Sequence, residues 1–318
     1  MGFTTDIADY PEGIVLAVDK PYRWTSADVI RKLKYAAIRH FRKKNLKVGH
    51  AGTLDPLATG VLLVCIGPAC KRAQELQDHD KEYIARIRFG ATTPSYDLEK
   101  EVDRTFPYEH ITRAQVEAAL PAFLGEQEQV APLFSAKSVD GVRAYELARK
   151  LYRSGRMAEL DDTALETLHR SRITISELEL LDFVEAESSV LPEDSASLRS
   201  APAPPTVSCV PSELVSSGPL PLPRSGGGQA SGSTPLSAST ASSRIHVADT
   251  SALGLPEAVI RIACSKGTYI RAFARDLGEA LGSGAHLSGL IRSRSGAYRV
   301  EDAVSVDQAL ALFESREM

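Results

Sequence analysis

The spacing of hydrophobic positions predicts a strand and then an amphipathic helix near the N-terminus. Residues 15–18 are consecutively apolar, as in a short buried strand. Thr25 and Ser26 precede a segment, ending at about Lys44, in which apolar residues recur every three or four positions. Because Ser and Thr are preferred N-caps, this pattern predicts a helix with one buried face. That face consists of Ile30, Leu33, Ala37 and Phe41.

Further patterns predict a mixture of strands and helices. Residues 61–66 form an unbroken apolar run, which is typical of a buried strand. Residues 83–89 alternate, with Tyr83 and Ile87 on one side and Arg86 and Arg88 on the other, as expected for a half-buried strand. The same criteria predict helices over 112–124, 144–153, 268–281 and 307–313, and strands over 173–184 and 259–263.

The composition changes in the second half of the chain. Residues 191–250 contain nine Pro, fourteen Ser and five Gly, and no aromatic residue occurs between Phe183 and Tyr269. Such a segment has too little apolar surface to offset the entropy lost on ordering. We therefore predict a single domain over 1–318 that is interrupted by a disordered Ser/Pro-rich insertion at about 187–256.

Charge is clustered although the net charge is small. The 318 residues carry 37 Lys and Arg against 41 Asp and Glu, a formal charge of −4. No acid occurs between Ile30 and Leu54, a stretch rich in Lys and Arg, and a second basic group lies within 266–299. Together they favour a phosphate-rich partner, RNA or DNA, over the alternative of solvated helix faces.

Other functional classes are disfavoured. No apolar run approaches the span of a bilayer, and the N-terminus lacks the basic region of a signal peptide. The four Cys form no CxxC pair, and no His stands at zinc-like spacing to them. We therefore expect no metal site and no disulfide framework, which is typical of a cytoplasmic protein.

A single carboxylate, Asp55, stands in a loop of small and turn-forming residues before the apolar run at 61–66. Asp-Pro pairs favour turns, so a structural role is one interpretation. The other is a nucleophile or base that works with a cation, since no second acid is near and no Ser/His/Asp order or phosphate-binding loop is present. His50 is either a proton shuttle or, as we prefer, a group that hydrogen-bonds the loop.

Two more groups are candidates for the same site. Arg271 and Arg275 share one helix face, and the predicted helix N-terminus beside Lys266 is suited to a phosphate, although exposed helix cations are the simpler interpretation. Tyr83 is either a packing residue or a stacking platform for a flipped base.

The motifs of the chain resemble those of the TruB family of tRNA pseudouridine synthases. The loop GHAGTLDPLATGVL of this chain resembles the family signature. Four other motifs follow in the family order, and together the five cover most of the chain outside the insertion. The other four are VDKPYRWTSADVIRKLK, KEYIARIRFGATTPSYDLEKEV, PLFSAKSVDGVRAYELAR and CSKGTYIRAFARDLGEALGSGAHLSGLIRSRSGAY. The resemblance implies an α+β fold with a mixed, largely antiparallel sheet, flanking helices and a central cleft.

The resemblance also implies an activity, the isomerisation of uridine to pseudouridine at position 55 in the T loop of tRNA. It implies no cofactor, no metal and no obligatory protein partner, and a monomer. Asp55 matches the catalytic aspartate, Tyr83 the aromatic residue against the base, and Arg271 the arginine that pairs with the aspartate. The implied substrate or RNA contacts are Lys20, His50, Lys266, Tyr269, Leu290 and Arg292. Attack at the sugar C1′, attack at the base C6 and proton removal from the sugar all stay open.

Several departures from the family pattern bear on function. Arg23, Lys100 and Ser138 replace residues common in the family, and the chain ends where many members continue into an RNA-binding PUA domain, so we expect none here. The alternatives are a non-catalytic tRNA-binding or folding factor on the same scaffold, and a guide-RNA-dependent synthase subunit. A binding role alone does not require the acid, which repels phosphate.

Overall fold

A ten-stranded sheet organises the described part of the chain. The structure, a computed structural model, describes residues 2–132, 138–139, 142–143, 170–186 and 245–314. The strands are β1 Ile14–Lys20, β2 Val48–Ala51, β3 Ala58–Ile66, β4 Lys81–Phe89, β5 Ala91–Thr92, β6 Arg104–Thr105, β7 Gly125–Val130, β8 Ser138–Val139, β9 Val142–Arg143, β10 Arg170–Val184, β11 Glu257–Cys264, β12 Ala285–Ser295, β13 Tyr298–Arg299 and β14 Val304–Ser305. The α-helices are α1 Ser26–His40, α2 Ala73–Asp78, α3 Arg113–Ala119, α4 Ile270–Ala280 and α5 Val306–Glu314.

The strand order confirms a mixed, largely antiparallel sheet. It runs β14-β1-β3-β12-β4-β11-β10-β7, with β13 on β12 and β2 on β3. Only the β1–β14 and β12–β3 pairs are parallel within this described sheet. Strands from both ends of the chain therefore meet at its centre, where β12 lies between β3 and β4.

Strand β3 is buried on both faces, as its apolar run predicts. Leu62, Val64 and Ile66 join the main core with α1, whereas Leu63 and Cys65 join a smaller core on the opposite face. Strand β4 shows the predicted alternation: Tyr83, Ala85, Ile87 and Phe89 are buried in the main core. A strand with two covered faces has no need of polar residues between its apolar ones, which explains the difference between the two patterns.

The sheet divides along one edge of β3, and this division creates the loop around Asp55. The start of β3 pairs with β12 at Ala58–Gly60, and its end pairs with β2 at Leu63–Ile66. Between β2 and β3 the chain crosses the division as an irregular loop at 52–57. Carbonyl groups in this loop have no ladder partners, so other donors must satisfy them.

Helix boundaries are partly as predicted. Helix α1 has a complete capping box between Thr25 and Asp28, but it ends at His40 rather than near Lys44, and Arg42 has a left-handed backbone with φ of 50°. Thr112 caps α3 as predicted, although the α-helix ends at Ala119 and continues as a 3-10 turn.

The predicted helix start at Thr268 is wrong by two residues. The N-cap of α4 is Tyr269, and the Thr268 hydroxyl donates to the carbonyl of Ser265 instead. The predicted helix at 144–153 lies outside the described residues. Strand β12 was not predicted, because apolar and polar residues do not alternate in its sequence, AHLSGLIRSRS. Irregularities in its pairing with β4 interrupt the period of two.

The boundary predicted for the insertion is also corrected. Residues 245–256 belong to the folded unit, since the Ala248 N–H donates to the Leu98 carbonyl at 2.8 Å and Thr250 is buried. Residues 187–244 lie outside the described residues. Among the residues that the structure describes, no helix is long and apolar enough to cross a membrane.

Gly60 provides a test of the β3–β12 contact. Its φ is 96°, and a Cβ there would lie 2.3 Å from the carbonyl oxygen of Arg292. We expect Gly60→Ala to lower the free energy of unfolding by roughly 2–4 kcal/mol, because both the backbone and the neighbouring strand must shift. Denaturant unfolding measures this, with Gly49→Ala as control because nothing lies within 4 Å of the added methyl group. Equal effects of the two substitutions would contradict the close strand contact.

Candidate active site

A cleft of about 240 Å³ lies beside the Asp55 loop. The loop supplies one wall, the start of α4 with the preceding turn supplies another, and Tyr83 and Leu290 project from the sheet between them. A smaller cavity of about 20 Å³ lies next to it and shares Asp55, Arg271 and Leu290. The acid therefore lies where a polar cleft meets a more apolar pocket.

An ion pair joins the two walls of the cleft. The Nε of Arg271, in the first turn of α4, lies 2.8 Å from Oδ2 of Asp55. The side chain of Arg271 is 7% exposed and that of Asp55 is 38% exposed. The pair thus presents its acid to the cleft and keeps its guanidinium inside the protein.

Arg271 is also held by the loop that follows β5. Its Nη1 donates to the Ser95 carbonyl at 3.2 Å, and its Nε lies 3.7 Å from a carboxylate oxygen of Asp97. Burial by itself would lower the pKa of Arg271, but the carboxylates of Asp55, Asp97 and Glu99 outweigh it and raise the pKa above its ordinary value. The guanidinium is therefore a permanent charge at the centre of three acids.

Two of those acids have perturbed protonation. Burial raises the pKa of Asp97, whose carboxylate also accepts from the Ser95 hydroxyl at 2.6 Å and the Glu99 N–H at 2.9 Å. Burial, followed by repulsion from Asp97 and Asp55, raises the pKa of Glu99 to about 7. The sequence analysis did not assign Asp97 or Ser95 to the site. The polar residues that follow β5 were the sequence feature that could have indicated them.

Tyr83 and Arg292 lie next to each other and both line the cleft. Tyr83 is 9% exposed, and burial raises the pKa of its hydroxyl although the Arg292 charge opposes this. Arg292, which the sequence predicts as an RNA contact, borders the cleft but is only 1% exposed. Its guanidinium donates to the carbonyls of Val61, Gly52 and Thr53, at 2.7, 3.2 and 3.5 Å. It therefore fills the division in the sheet and supports the Asp55 loop.

Lys20 requires a similar correction. It was predicted to contact substrate or RNA, but it is fully buried. Its Nζ donates to the carbonyls of Pro21, Trp24 and Pro56 at 3.0, 2.6 and 3.2 Å. Burial lowers the pKa of Lys20 to about 8, although the Asp55 charge opposes this. Lys20 holds the residue next to Asp55 from inside the protein.

The remaining predicted residues differ in position. Lys266, Tyr269 and Leu290 all line the cleft, and Lys266 also pairs with Asp78 at 2.9 Å. His50, on β2, is not among the residues lining the cleft. Its buried Nδ1 has no hydrogen-bond partner within the described structure. That nitrogen therefore does not make the hydrogen bond to the loop that we expected of His50. Burial and then the Arg292 charge lower its pKa, which favours the neutral imidazole.

Comparison with known proteins identifies the family. The sequence model of the TruB family pseudouridylate synthase N-terminal domain matches residues 39–191. The chain is 44% identical over 299 residues to tRNA pseudouridine synthase B of Phocaeicola vulgatus, covering 94% of this chain and 92% of that relative. This chain belongs to the TruB family. The family enzyme of the same name from Thermus thermophilus is 38% identical over 290 residues, covering 91% of this chain and 75% of the relative.

Solved structures support the fold. The chain aligns with a chain of a Cbf5-Nop10-Gar1 complex at a TM-score of 0.53 and 19% identity, covering 96% of this chain and 56% of that one. It aligns with a chain of an H/ACA RNP bound to a substrate RNA containing 2′-deoxyuridine at a TM-score of 0.50 and 18% identity, covering 98% and 57%. This TruB family chain thus spans little more than half the length of those chains and shares their fold.

The raised pKa of Glu99 predicts a pH dependence of stability. Between the ordinary value of 4.5 and about 7, the folded protein keeps a proton that the unfolded chain has released. The contribution of Glu99 to the free energy of unfolding is therefore fully present below pH 4.5 and is lost as the pH rises to about 7. We expect Glu99→Gln to gain stability relative to wild type across this interval and to reach a constant difference above it. Denaturant unfolding at several pH values measures this, and parallel curves would contradict the assignment.

Proposed function

We propose that this protein converts uridine to pseudouridine at position 55 in the T loop of tRNA, with Asp55 as the catalytic aspartate. The names of the relatives, tRNA pseudouridine synthase B, support tRNA as substrate and pseudouridine as product. The observation that carries the assignment of Asp55 is its 2.8 Å pair with Arg271 at a cleft that Tyr83 also lines. The shared number of the residue and the nucleotide is a coincidence.

The reaction needs a nucleophile or base but no imported group. The bond from N1 of uracil to C1′ of the ribose breaks, a bond from C5 to C1′ forms, C5 loses its proton and N1 gains one. The reaction is an isomerisation with no net oxidation or reduction. Asp55 attacks at C1′ or C6, or takes a proton from the sugar, and each route requires the carboxylate to be ionised.

The surroundings of Asp55 suit this chemistry. The Nε of Arg271 lies 2.8 Å from the Asp55 carboxylate and fixes its orientation, since Arg271 is itself held by Ser95 and Asp97. Tyr83 and Leu290 offer a ring and an apolar side chain against which a uracil can pack while it turns. The target nucleotide must leave the stacked loop to reach these groups, which is the usual solution for enzymes that act on a base.

A basic surface is suited to the phosphates of the T arm. Around the end of α1 and the start of β2, five exposed lysines surround a groove. Among the described residues none of them has a carboxylate within 4 Å, whereas Arg31, Lys32 and Arg72 nearby are paired with acids. These lysines are Lys34, Lys43, Lys44, Lys47 and Lys71. Strand β2 connects this surface to the Asp55 loop, so a stem bound here lies near the cleft.

The catalytic assignment is tested by Asp55→Asn on a T-arm RNA that carries tritium at C5 of uridine. We expect binding close to wild type and a rate of tritium release at least roughly a thousandfold lower, because the amide is neither a nucleophile nor a base. Asp302→Asn, at an exposed position, is the matched control and should release tritium at the wild-type rate. Unchanged turnover by Asp55→Asn would exclude Asp55 from the mechanism. Wild-type protein that binds the RNA without releasing tritium would instead favour the binding-only alternative.

The basic surface is tested by the salt dependence of RNA affinity. Removing two phosphate contacts with Lys43→Gln and Lys44→Gln should weaken binding and lower the slope of log affinity against log salt by roughly 1.5. The control removes two exposed arginines that are already paired with glutamates, Arg113→Gln and Arg170→Gln. Equal slopes for the two double variants would contradict an RNA contact at this surface.

A further inference from the structure

Residues 245–250, which we call the strap, belong to the folded unit and precede β11 in the chain. The first residue of the strap is held by Arg23, whose Nη2 donates to the Ile245 carbonyl at 2.6 Å. The next residue, His246, has its Nε2 2.6 Å from a carboxylate oxygen of Glu101. Neither contact belongs to the ladder of the sheet, so side chains rather than strand pairing fix the start of the strap.

The far end of the strap is anchored inside the protein. The hydroxyl of Thr250 accepts from Nη1 of Arg88 at 2.8 Å and lies 3.4 Å from Nε2 of His286. Thr250 is 2% exposed and His286 is fully buried. Arg88 in turn pairs with Glu257 at 2.9 Å, which connects this end of the strap to strands β4 and β11.

The middle of the strap packs on the walls of the small cavity beside Asp55. Ala248 forms a buried cluster with Leu57 and Leu98, and its N–H donates to the Leu98 carbonyl at 2.8 Å. Leu57 and Leu98 both line the cavity that also contains Asp55 and Arg271. Leu57 follows Asp55 by two residues, and the Ala58 N–H closes the same turn by donating to the Asp55 carbonyl at 3.1 Å.

Arg23 adopts a strained backbone to make its contact. Its φ of 62° lies in the left-handed region, which glycine adopts freely and arginine disfavours. Strain of this kind persists where the surroundings select it, and it is concentrated at functional sites. Here the strained residue supplies the donor that holds the strap.

We propose that Arg23 and the strap are positioning elements, which hold Leu57 and Leu98 and thereby keep the Asp55 turn aligned with Arg271. This inference rests on the proposed function of Asp55. Arg23 acts through the strap and not by touching the substrate. Its loss should therefore lower the rate of the chemical step while leaving RNA affinity unchanged.

The test combines amide hydrogen exchange with single-turnover kinetics on full-length Arg23→Gly. Glycine suits the positive φ, so the substitution removes the guanidinium and also relieves strain. We expect faster exchange at the Ala248 and Ala58 amides, and a single-turnover rate about threefold to tenfold lower at saturating RNA. The dissociation constant for T-arm RNA should stay within about twofold of wild type, since the groups that bind RNA are unaltered.

Two companion variants make the result decisive. Arg42→Gly relieves a second left-handed arginine, at φ of 50°, and should leave exchange at Ala248 and Ala58 unchanged. Ala248→Gly removes the methyl group that packs with Leu57 and should reproduce the effects of Arg23→Gly. It therefore tests the proposal even if the Arg23→Gly variant folds poorly. Unchanged exchange at Ala58 in both strap variants would overturn the proposal, as would weaker RNA binding with an unchanged single-turnover rate. Because exchange is measured without substrate, an inactive wild type would count against the proposed function and not against the strap.

Discussion

The buried charge of Arg271 is the constraint around which the cleft is organised. A guanidinium that is 7% exposed needs acids and carbonyls close by, since an unpaired buried charge is strongly destabilising. Its partners come from separate parts of the chain: Asp55 from the loop before β3, and Ser95 and Asp97 from the loop after β5. Satisfying one side chain therefore brings three segments together and leaves Asp55 at the surface of the cleft.

Two other buried cations stabilise the same loop from below. Lys20 and Arg292 direct their donors at backbone carbonyls, among them those of Pro56, Gly52 and Thr53. The loop crosses the division between β2 and β12, so these carbonyls have no strand to pair with. The cations compensate for the lost ladder hydrogen bonds and make an irregular loop rigid. A rigid loop is what a carboxylate needs if its geometry is to be set before substrate arrives.

Buried and exposed cations have different contacts in this structure. Buried cations hold Asp55 and its loop, whereas the lysines at the end of α1 are exposed to solvent. On the apolar side of the site the contacts are hydrophobic: Leu57, in the Asp55 turn, packs with Leu98 and with Ala248 of the strap. Ionic, backbone and apolar contacts thus all meet at one short turn.

The sequence by itself determined what depends on near neighbours. The alternation of β4, the apolar run of β3, the Thr25 cap and the ordered motifs were all readable, because periodicity and capping involve residues a few positions apart. The pairing of Asp55 with Arg271 was implied by resemblance, not by any local pattern. Only the tertiary structure decided that Lys20 and Arg292 are buried supports, that β12 is a central strand, and that residues 245–256 are folded. A lysine or arginine has the same local sequence signal whether it faces water or carbonyl groups, because its partners are chosen by how distant segments cross.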